Sequence, residues 1–276
     1  MDKIETLGII AGDGNLPISI YKECKKRNIK PFLALIQDFA KKENYKDANC
    51  IDITFGDVGK AISFFQKNNV KQIVFAGGVK KPDLKTIRPD LKGIFLLTKL
   101  LKSKFFGDDT ILQTTIKFLE QEGFEILPVD KILSDIKITS GLNTDISMPD
   151  NDYQHDISLG IKVLKQLSDL DMGQSVVIQN GIVVGVECVE GTQKLIERCS
   201  ILKYSTGRKP ILVKTKKVKQ TRKIDLPAIG EETINQVKNA GFAGIALDFE
   251  NGLVINRDET IKLANKSNIF IYGIKI

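Results

Sequence analysis

Short apolar runs alternate with stretches of helical period along the first half of the chain, and this alternation sets the expected fold. Leu7 to Ala11 reads as a strand that ends in Gly12-Asp13-Gly14, with a helix pattern following from Leu16 to Arg27. Asn15 suits the N-cap of that helix, and Pro17 is tolerated in its first turn. Strands are predicted at Phe32 to Ile36 and Ile51 to Thr54, a helix at Asp57 to Asn68, and a buried strand at Gln72 to Ala76 that runs into Gly77-Gly78. A polar loop from Lys80 to Pro89 precedes helices at Gly93 to Lys104 and Thr110 to Glu122, then a short strand at Glu125 to Leu127. Such alternation implies a parallel sheet with helices on both faces, a Rossmann-like half.

Periodicity is lost between 129 and 157, where Ser, Asn, Asp, Gly and Pro concentrate. A second set of elements follows: a helix at Ile161 to Leu167, a hairpin of Ser175 to Gln179 and Ile182 to Glu187 about the turn Asn180-Gly181, and a helix from Thr192 to Cys199. Strands at Ile211 to Val213, Gly244 to Leu247 and Ile269 to Tyr272 alternate with helices at Glu231 to Ala240 and Asp258 to Asn265. The expected fold class is therefore α/β. A Rossmann-like N-terminal domain (1–130) is joined by a linker (131–155) to a mixed α/β C-terminal domain (156–276), which is read as the catalytic one.

Composition narrows the partners. With 276 residues the chain is long for one core and suits two domains. No apolar run approaches the roughly 20 residues that a membrane helix needs, and the N-terminus lacks a signal-peptide pattern. The four cysteines show no CxxC spacing and there is one histidine, His155, so a zinc site is not expected. His155 has no serine or cysteine constellation around it and reads as a surface residue. Unpaired thiols and no export signal point to the cytoplasm. A net charge of +7 fits a phosphorylated substrate or an anionic membrane face. Nucleic acid is not expected, because no recognition motif is present and tryptophan is absent.

Five places carry candidate chemistry. The Gly12-Asp13-Gly14 turn would offer backbone N–H groups to a phosphate at a helix N-terminus, or simply satisfy a strand-to-helix turn. Pro17 stands where a dinucleotide fingerprint wants its third glycine. Gly77 and Gly78 with Lys80 and Lys81 end the second buried strand, where lysines could neutralise phosphate or just be solvated. Asp108 and Asp109 stand at a helix start and suit either an N-cap or Mg²⁺. Glu187 and Glu190 lie at a strand end in Glu-Cys-Val-Glu-Gly-Thr, either as turn charges or as ligands. Finally Lys214, Lys216, Lys217, Lys219, Arg222 and Lys223 run up to a single acid, Asp225, ahead of Leu226-Pro227. A cationic approach ending on one carboxylate is what phosphoanhydride hydrolysis requires, with Asp225 ligating a metal or taking a proton from water.

Together LGIIAGDGNLP, FAGGVKKPD, GDDTILQTTIKFLEQEGFEI, LDMGQSVVIQNGIVVGVECVEGT and KIDLPAIGEETI, in this order, resemble the UDP-2,3-diacylglucosamine pyrophosphatases of Gram-negative lipid A synthesis, of the metal-dependent non-metallophosphoesterase type. The resemblance implies Mg²⁺-dependent attack of water on the α-phosphorus, releasing UMP and 2,3-diacylglucosamine 1-phosphate, with the substrate held between the domains. It implies catalytic roles for Asp225, Glu187 and Glu190, and metal contact at Asp225, Asp108 and Asp109. Gly12, Asp13, Gly14, Gly77, Gly78, Lys80, Lys81, Thr192 and Lys223 would bind substrate. The chain departs from the family pattern at Asp13, often glycine there, and at Gln193, usually aspartate. Lys81 and Lys223 take places often held by arginine, which keeps charge but loses bidentate geometry.

The expected setting is the cytoplasmic face of the inner membrane, peripherally bound to anionic lipid, with a homodimer left open. Ile132, Leu133, Ile136, Ile138, Leu142, Ile146 and Met148 are expected to wall a groove for the acyl chains. Two other readings stand beside the hydrolase: a non-catalytic protein that senses a nucleotide-sugar or lipid precursor, and a nucleotide-dependent oxidoreductase, against which Pro17 argues.

Overall fold

The apolar runs of the first half do form strands. In the computed structural model, which describes residues 4–80, 86–101, 108–146, 148, 151–170, 172–217 and 226–276, the chain divides into two units, one ending at Ser134 and one beginning at Asp135. Lys81, Lys223, Asp225 and the side chains of Asp108 and Asp109 lie outside what is described.

The first unit contains β1 (Thr6–Ala11), α1 (Asn15–Lys26), β2 (Lys30–Ile36), β3 (Asn49–Ile53), α2 (Val58–Lys67), β4 (Gln72–Ala76), α3 (Leu91–Leu101), α4 (Asp108–Gln121) and β5 (Glu125–Ile126). The strands form one sheet in the order β3-β2-β1-β4-β5, every pair parallel. Strand order reverses between β1 and β4, so the loops leaving these two strands flank the topological switch point. Alternate residues of β2 serve opposite faces. Phe32 and Ala34 join a core with α2, α3 and α4, through Ile62, Phe65, Leu96, Leu100, Ile116 and Leu119. Leu33 and Leu35 are buried as well, as expected for a sheet covered on both sides.

Asp90 ties the helices of this unit together. Its Oδ2 accepts from the backbone N–H groups of Gly59 (2.6 Å) and Lys60 (3.1 Å) in the first turn of α2, and its Oδ1 from Gly93 N in α3 (2.8 Å). One carboxylate thus serves orphan donors of two helices, each cap being worth about 1 kcal/mol. Asp90→Ala is expected to cost about 2 kcal/mol, read as a lower urea midpoint for the first unit.

The second unit contains β6 (Gly141–Leu142), α5 (Asp152–Ser168), β7 (Ser175–Gln179), β8 (Ile182–Val186), α6 (Gly191–Leu202), β9 (Ile211–Lys214), β10 (Ala228–Ile229), α7 (Glu231–Asn239), β11 (Gly244–Asp248), β12 (Leu253–Val254), α8 (Arg257–Lys266) and β13 (Phe270–Ile274). Its six-stranded sheet runs β6-β13-β11-β9-β7-β8, with β13, β11 and β9 mutually parallel and β6, β7 and β8 antiparallel to their neighbours. β10 and β12 form a separate parallel pair. On one face Val177, Leu212, Ile245, Leu247 and Ile271 pack with α6, α7 and α8, and Ile229 and Val254 of the small pair join them. On the other, Val176, Ile178, Val213, Ala246 and Phe270 pack with α5.

Two expectations change here. The acyl-groove wall drawn from 132–148 does not hold as drawn: Ile132, Leu133, Ile136 and Ile138 are buried, and Ile138 belongs to the α6–α8 core. Ile146 and Met148 pack against the α5 core, which leaves Leu142 exposed. These apolar positions were spent on folding. The segment expected as a linker carries β6, paired with β13, and the start of α5.

Candidate functional site

At the switch point of the first unit the two glycine turns interlock through their backbones. Gly12 N donates to Ala76 O (2.8 Å), Asp13 N to Gly78 O (2.8 Å) and Gly78 N to Asp13 O (3.0 Å). Gly77 has φ +89°, and a Cβ there would come within 2.5 Å of Asp13 O. A Cβ on Gly12 would come equally close to Gly78 O, so close approach of the two chains requires both glycines.

The N-cap of α1 is Gly14, not Asn15, and Gly14 N donates to Asp13 Oδ1 (2.7 Å). The N–H groups of Gly12, Asp13 and Gly14, expected to be open for phosphate, are therefore engaged. Asp13 itself supplies the negative charge that the N-terminus of α1 favours. Pro17, in the first turn, has no N–H to add. Gly14 and Gly78 face open space, and Lys80 is exposed.

A second polar group crowns the sheet of the second unit. Parallel strands β9 and β11 end at Lys214 and Asp248, while β7 begins at Ser175 and β8 ends just before Glu187, so all four lie at one edge. This is the carboxyl edge of the parallel strands, where open α/β sheets bind ligands. Ser175 pairs in register with Lys214, and Glu187 N donates to Ser175 O (2.9 Å). The three therefore form a cross-strand row. Lys214 has the same parity as Leu212, and Ser175 as Val177, so their side chains stand on the α6–α8 face.

Thr192, in the first turn of α6, joins the row. Its Oγ1 accepts from Lys214 Nζ (2.8 Å), donates to Glu187 Oε1 (2.9 Å), and lies 3.3 Å from Ser175 Oγ. A hydroxyl has one proton and two lone pairs. With its proton on Glu187 and Lys214 on one lone pair, Ser175 must be the donor in the third contact. The Thr192 hydroxyl is thus saturated by the protein, and it separates a buried cation (Lys214, 5 % exposed) from a buried anion (Glu187, 8 % exposed). Glu187 Oε2 accepts in turn from Gln174 N (3.2 Å).

Glu190 does not share this arrangement. It pairs with Arg198 (2.9 Å), which also donates to Val186 O. Burial pushes the Glu190 carboxyl up, but hydrogen bonds from its own backbone and from Arg198, with the guanidinium charge, take it below the usual carboxylate range. That makes Glu190 a weak base at neutral pH. Asp248 is likewise committed: it accepts from Glu250 N, Asn251 N and Asn251 Nδ2 within its own turn. With Lys165, Lys216, Glu250, Asn251 and Ile276 it lines a hollow of about 280 Å³.

Leu226 is buried, Pro227 O accepts from Leu253 N (2.9 Å), and β10 carries Ile229 into the α6–α8 core. α4 opens at Asp108, so Asp108 and Asp109 stand in its first turn. Among the described residues no group of three or more His, Cys, Asp or Glu side chains could hold a metal ion. Asp225 and the side chains of Asp108 and Asp109, expected to contact a metal, lie outside the described residues. His155 is exposed on α5, as expected, and the cysteines are free; burial pushes the Cys24 thiol up to about 12.

Lys214 and Ser175 were not singled out by sequence reasoning beyond the basic run. The signal was there: ILVK places a lysine on the same inward face as Leu212.

Comparison with known proteins follows the division into two units. Residues 6–136 match the family described as LpxI N-terminal domain, and residues 140–272 the one described as LpxI C-terminal domain. The chain is similar to the UDP-2,3-diacylglucosamine pyrophosphatase LpxI of Caulobacter vibrioides, 30% identical over 275 residues and 97% of each chain. With both halves matched in order and nearly the whole length aligned, the chain belongs to the LpxI family.

Proposed function

We propose that the protein hydrolyses the pyrophosphate of UDP-2,3-diacylglucosamine in lipid A synthesis, by attack of water on the α-phosphorus, giving UMP and 2,3-diacylglucosamine 1-phosphate. The observation that carries this reading is the full-length match to a relative of that printed activity. The sequence supports it: Lys214 ends β9 at the carboxyl edge of the sheet, Lys216 and Lys217 follow it, and Asp225 is the first acid after the basic run. Positive charge there favours a substrate with two phosphates and stabilises charge developing on them.

The reaction is proposed to use Mg²⁺, with Asp225, Asp108 and Asp109 as the carboxylates that would hold it; oxygen ligands of this kind suit the ion. When bound, the cation would neutralise phosphate oxygens and lower the cost of the attacking hydroxide. Asp225 is assigned to orient the water, Glu187 to hold Lys214 and Thr192 in place, and Gly14, Gly78, Lys80, Lys81 and Lys223 to contact substrate. UMP release should stop in EDTA and return on adding Mg²⁺, followed by chromatography of the uridine product. Undiminished release in EDTA would remove the metal from the mechanism. Tight binding of UDP-2,3-diacylglucosamine with no UMP formed at any Mg²⁺ concentration would favour a sensor over an enzyme.

A diacylated substrate resides in a membrane, so the protein is proposed to work bound peripherally to an anionic bilayer. No helix among the described residues is long and apolar enough to cross one.

A further inference from the structure

α3 is apolar on both sides. Its residues Gly93, Leu96 and Leu100 are buried, with Leu97 packed against the same core. The opposite side should then be polar. Instead Leu91 is 78 %, Ile94 49 %, Phe95 66 % and Leu101 66 % exposed. At 100° per residue these four fall on one stripe, with Thr98 between them and Lys92 and Lys99 along one border. The helix contains no acidic residue.

We propose that this stripe of α3 is the element that docks the protein on an anionic lipid bilayer, lying in the plane of the interface. The inference rests on the reading that the substrate is a diacylated lipid, and it names the surface that meets the membrane. A helix with large apolar side chains outward and basic residues at the border has the form of an interfacial anchor. Lysine stems at the border can follow the apolar surface while their ammonium groups reach the headgroups.

The charge arrangement favours lipid over a second copy of the chain. Lys92 is paired with Glu122, but the ammonium of Lys99 meets the neutral Gln121 side chain and the Phe118 ring, so its charge is not offset by these partners. Arg88, exposed just ahead of the helix, adds another cation, while the Asp90 carboxylate is turned into the caps of α2 and α3. A second copy would set the same cations against one another. An anionic headgroup layer complements them, at a gain of order 1 kcal/mol per basic residue near the surface.

The test is flotation of the full chain with phosphatidylglycerol-rich vesicles and with pure phosphatidylcholine vesicles, for the unaltered protein and for Leu91→Ser/Phe95→Ser. Both positions are exposed, so the fold should be unaffected. The unaltered chain should float with the anionic vesicles, and the double variant should partition roughly tenfold less or lower still. Hydrolysis of detergent-dispersed UDP-2,3-diacylglucosamine should be the same for both. Equal flotation of the variant would overturn the proposal. So would a parallel loss of hydrolysis in detergent, which would make the stripe an acyl-chain site, or conversion of a dimer to a monomer by light scattering, which would make it a subunit contact. An unaltered chain that floats but hydrolyses nothing in detergent would count against the proposed reaction and leave the docking surface standing.

Discussion

Asp225→Ala should lower UMP release from UDP-2,3-diacylglucosamine by roughly a thousandfold or more, with the unfolding free energy from urea titration within about 0.5 kcal/mol of the parent. The size follows from the role. A carboxylate that orients water or holds a cation acts on charge that develops only in the transition state, so its loss falls on kcat rather than on substrate affinity. The fold has little reason to follow, because the anchors downstream are backbone and apolar: Pro227 O to Leu253 N, Ile229 in the α6–α8 core, and β10 beside β12. Six cations stand in the ten positions from Lys214 to Lys223, and Asp225 is the first acid after them. Asp225→Asn would keep the shape and remove the charge; equal losses in both variants would mark the charge as the active property. Full activity in Asp225→Ala would move the chemistry elsewhere.

Much of the fold was legible because buried strands in this chain are short apolar runs with sharp ends. Gln72–Ala76 and Ser175–Gln179 fall where the pattern put them, and the turn between β7 and β8 has positive φ at Asn180 and Gly181, as Asn-Gly predicts. What escaped were elements whose buried positions are not apolar. α5 begins at Asp152, nine residues before the expected start. Its inward face is Tyr153, Asp156, Ile157, Gly160 and Leu164, and two of these break an apolar count. Asp156 is buried because it accepts from Gly181 N and faces Arg208; Gly160 is there because a Cβ would meet Val213 at 2.7 Å. β6, β10 and β12 have two residues each, too few for any period to register.

The site was legible by residue type and less so by partner. Glu187, Glu190 and Thr192 stand together in sequence, and the structure separates their roles: Glu190 goes to Arg198, while Glu187 and Thr192 join Lys214 from another strand. That partnership depends on strand order β9-β7-β8, which no local pattern encodes. The two glycine turns lie against each other, and the N–H groups expected to meet a phosphate bond to the facing turn and to Asp13.

Thr192→Val tests what the saturated hydroxyl does. Valine keeps the shape and removes the hydroxyl that links Lys214 to Glu187. Two buried charges then lose a shared hydrogen-bond partner, a loss of about 1–3 kcal/mol. If Thr192 acts by holding the row rather than by touching substrate, kcat should fall roughly ten- to a hundredfold while KM stays within about threefold. Thr192→Ser should recover most of the rate, since the hydroxyl is what matters. A rise in KM with kcat unchanged would instead make Thr192 a substrate contact, and a loss of stability with both constants unchanged would leave it a purely structural tie. Lys214→Met should also destabilise, by about 1–3 kcal/mol, because it removes the buried cation that offsets the Glu187 charge across Thr192. Adding Glu187→Gln to Lys214→Met removes that charge too, so the double variant should regain stability measured by urea while hydrolysis remains low. Recovery of both together would mean that the row serves only the fold; recovery of stability alone would place its charges in the reaction.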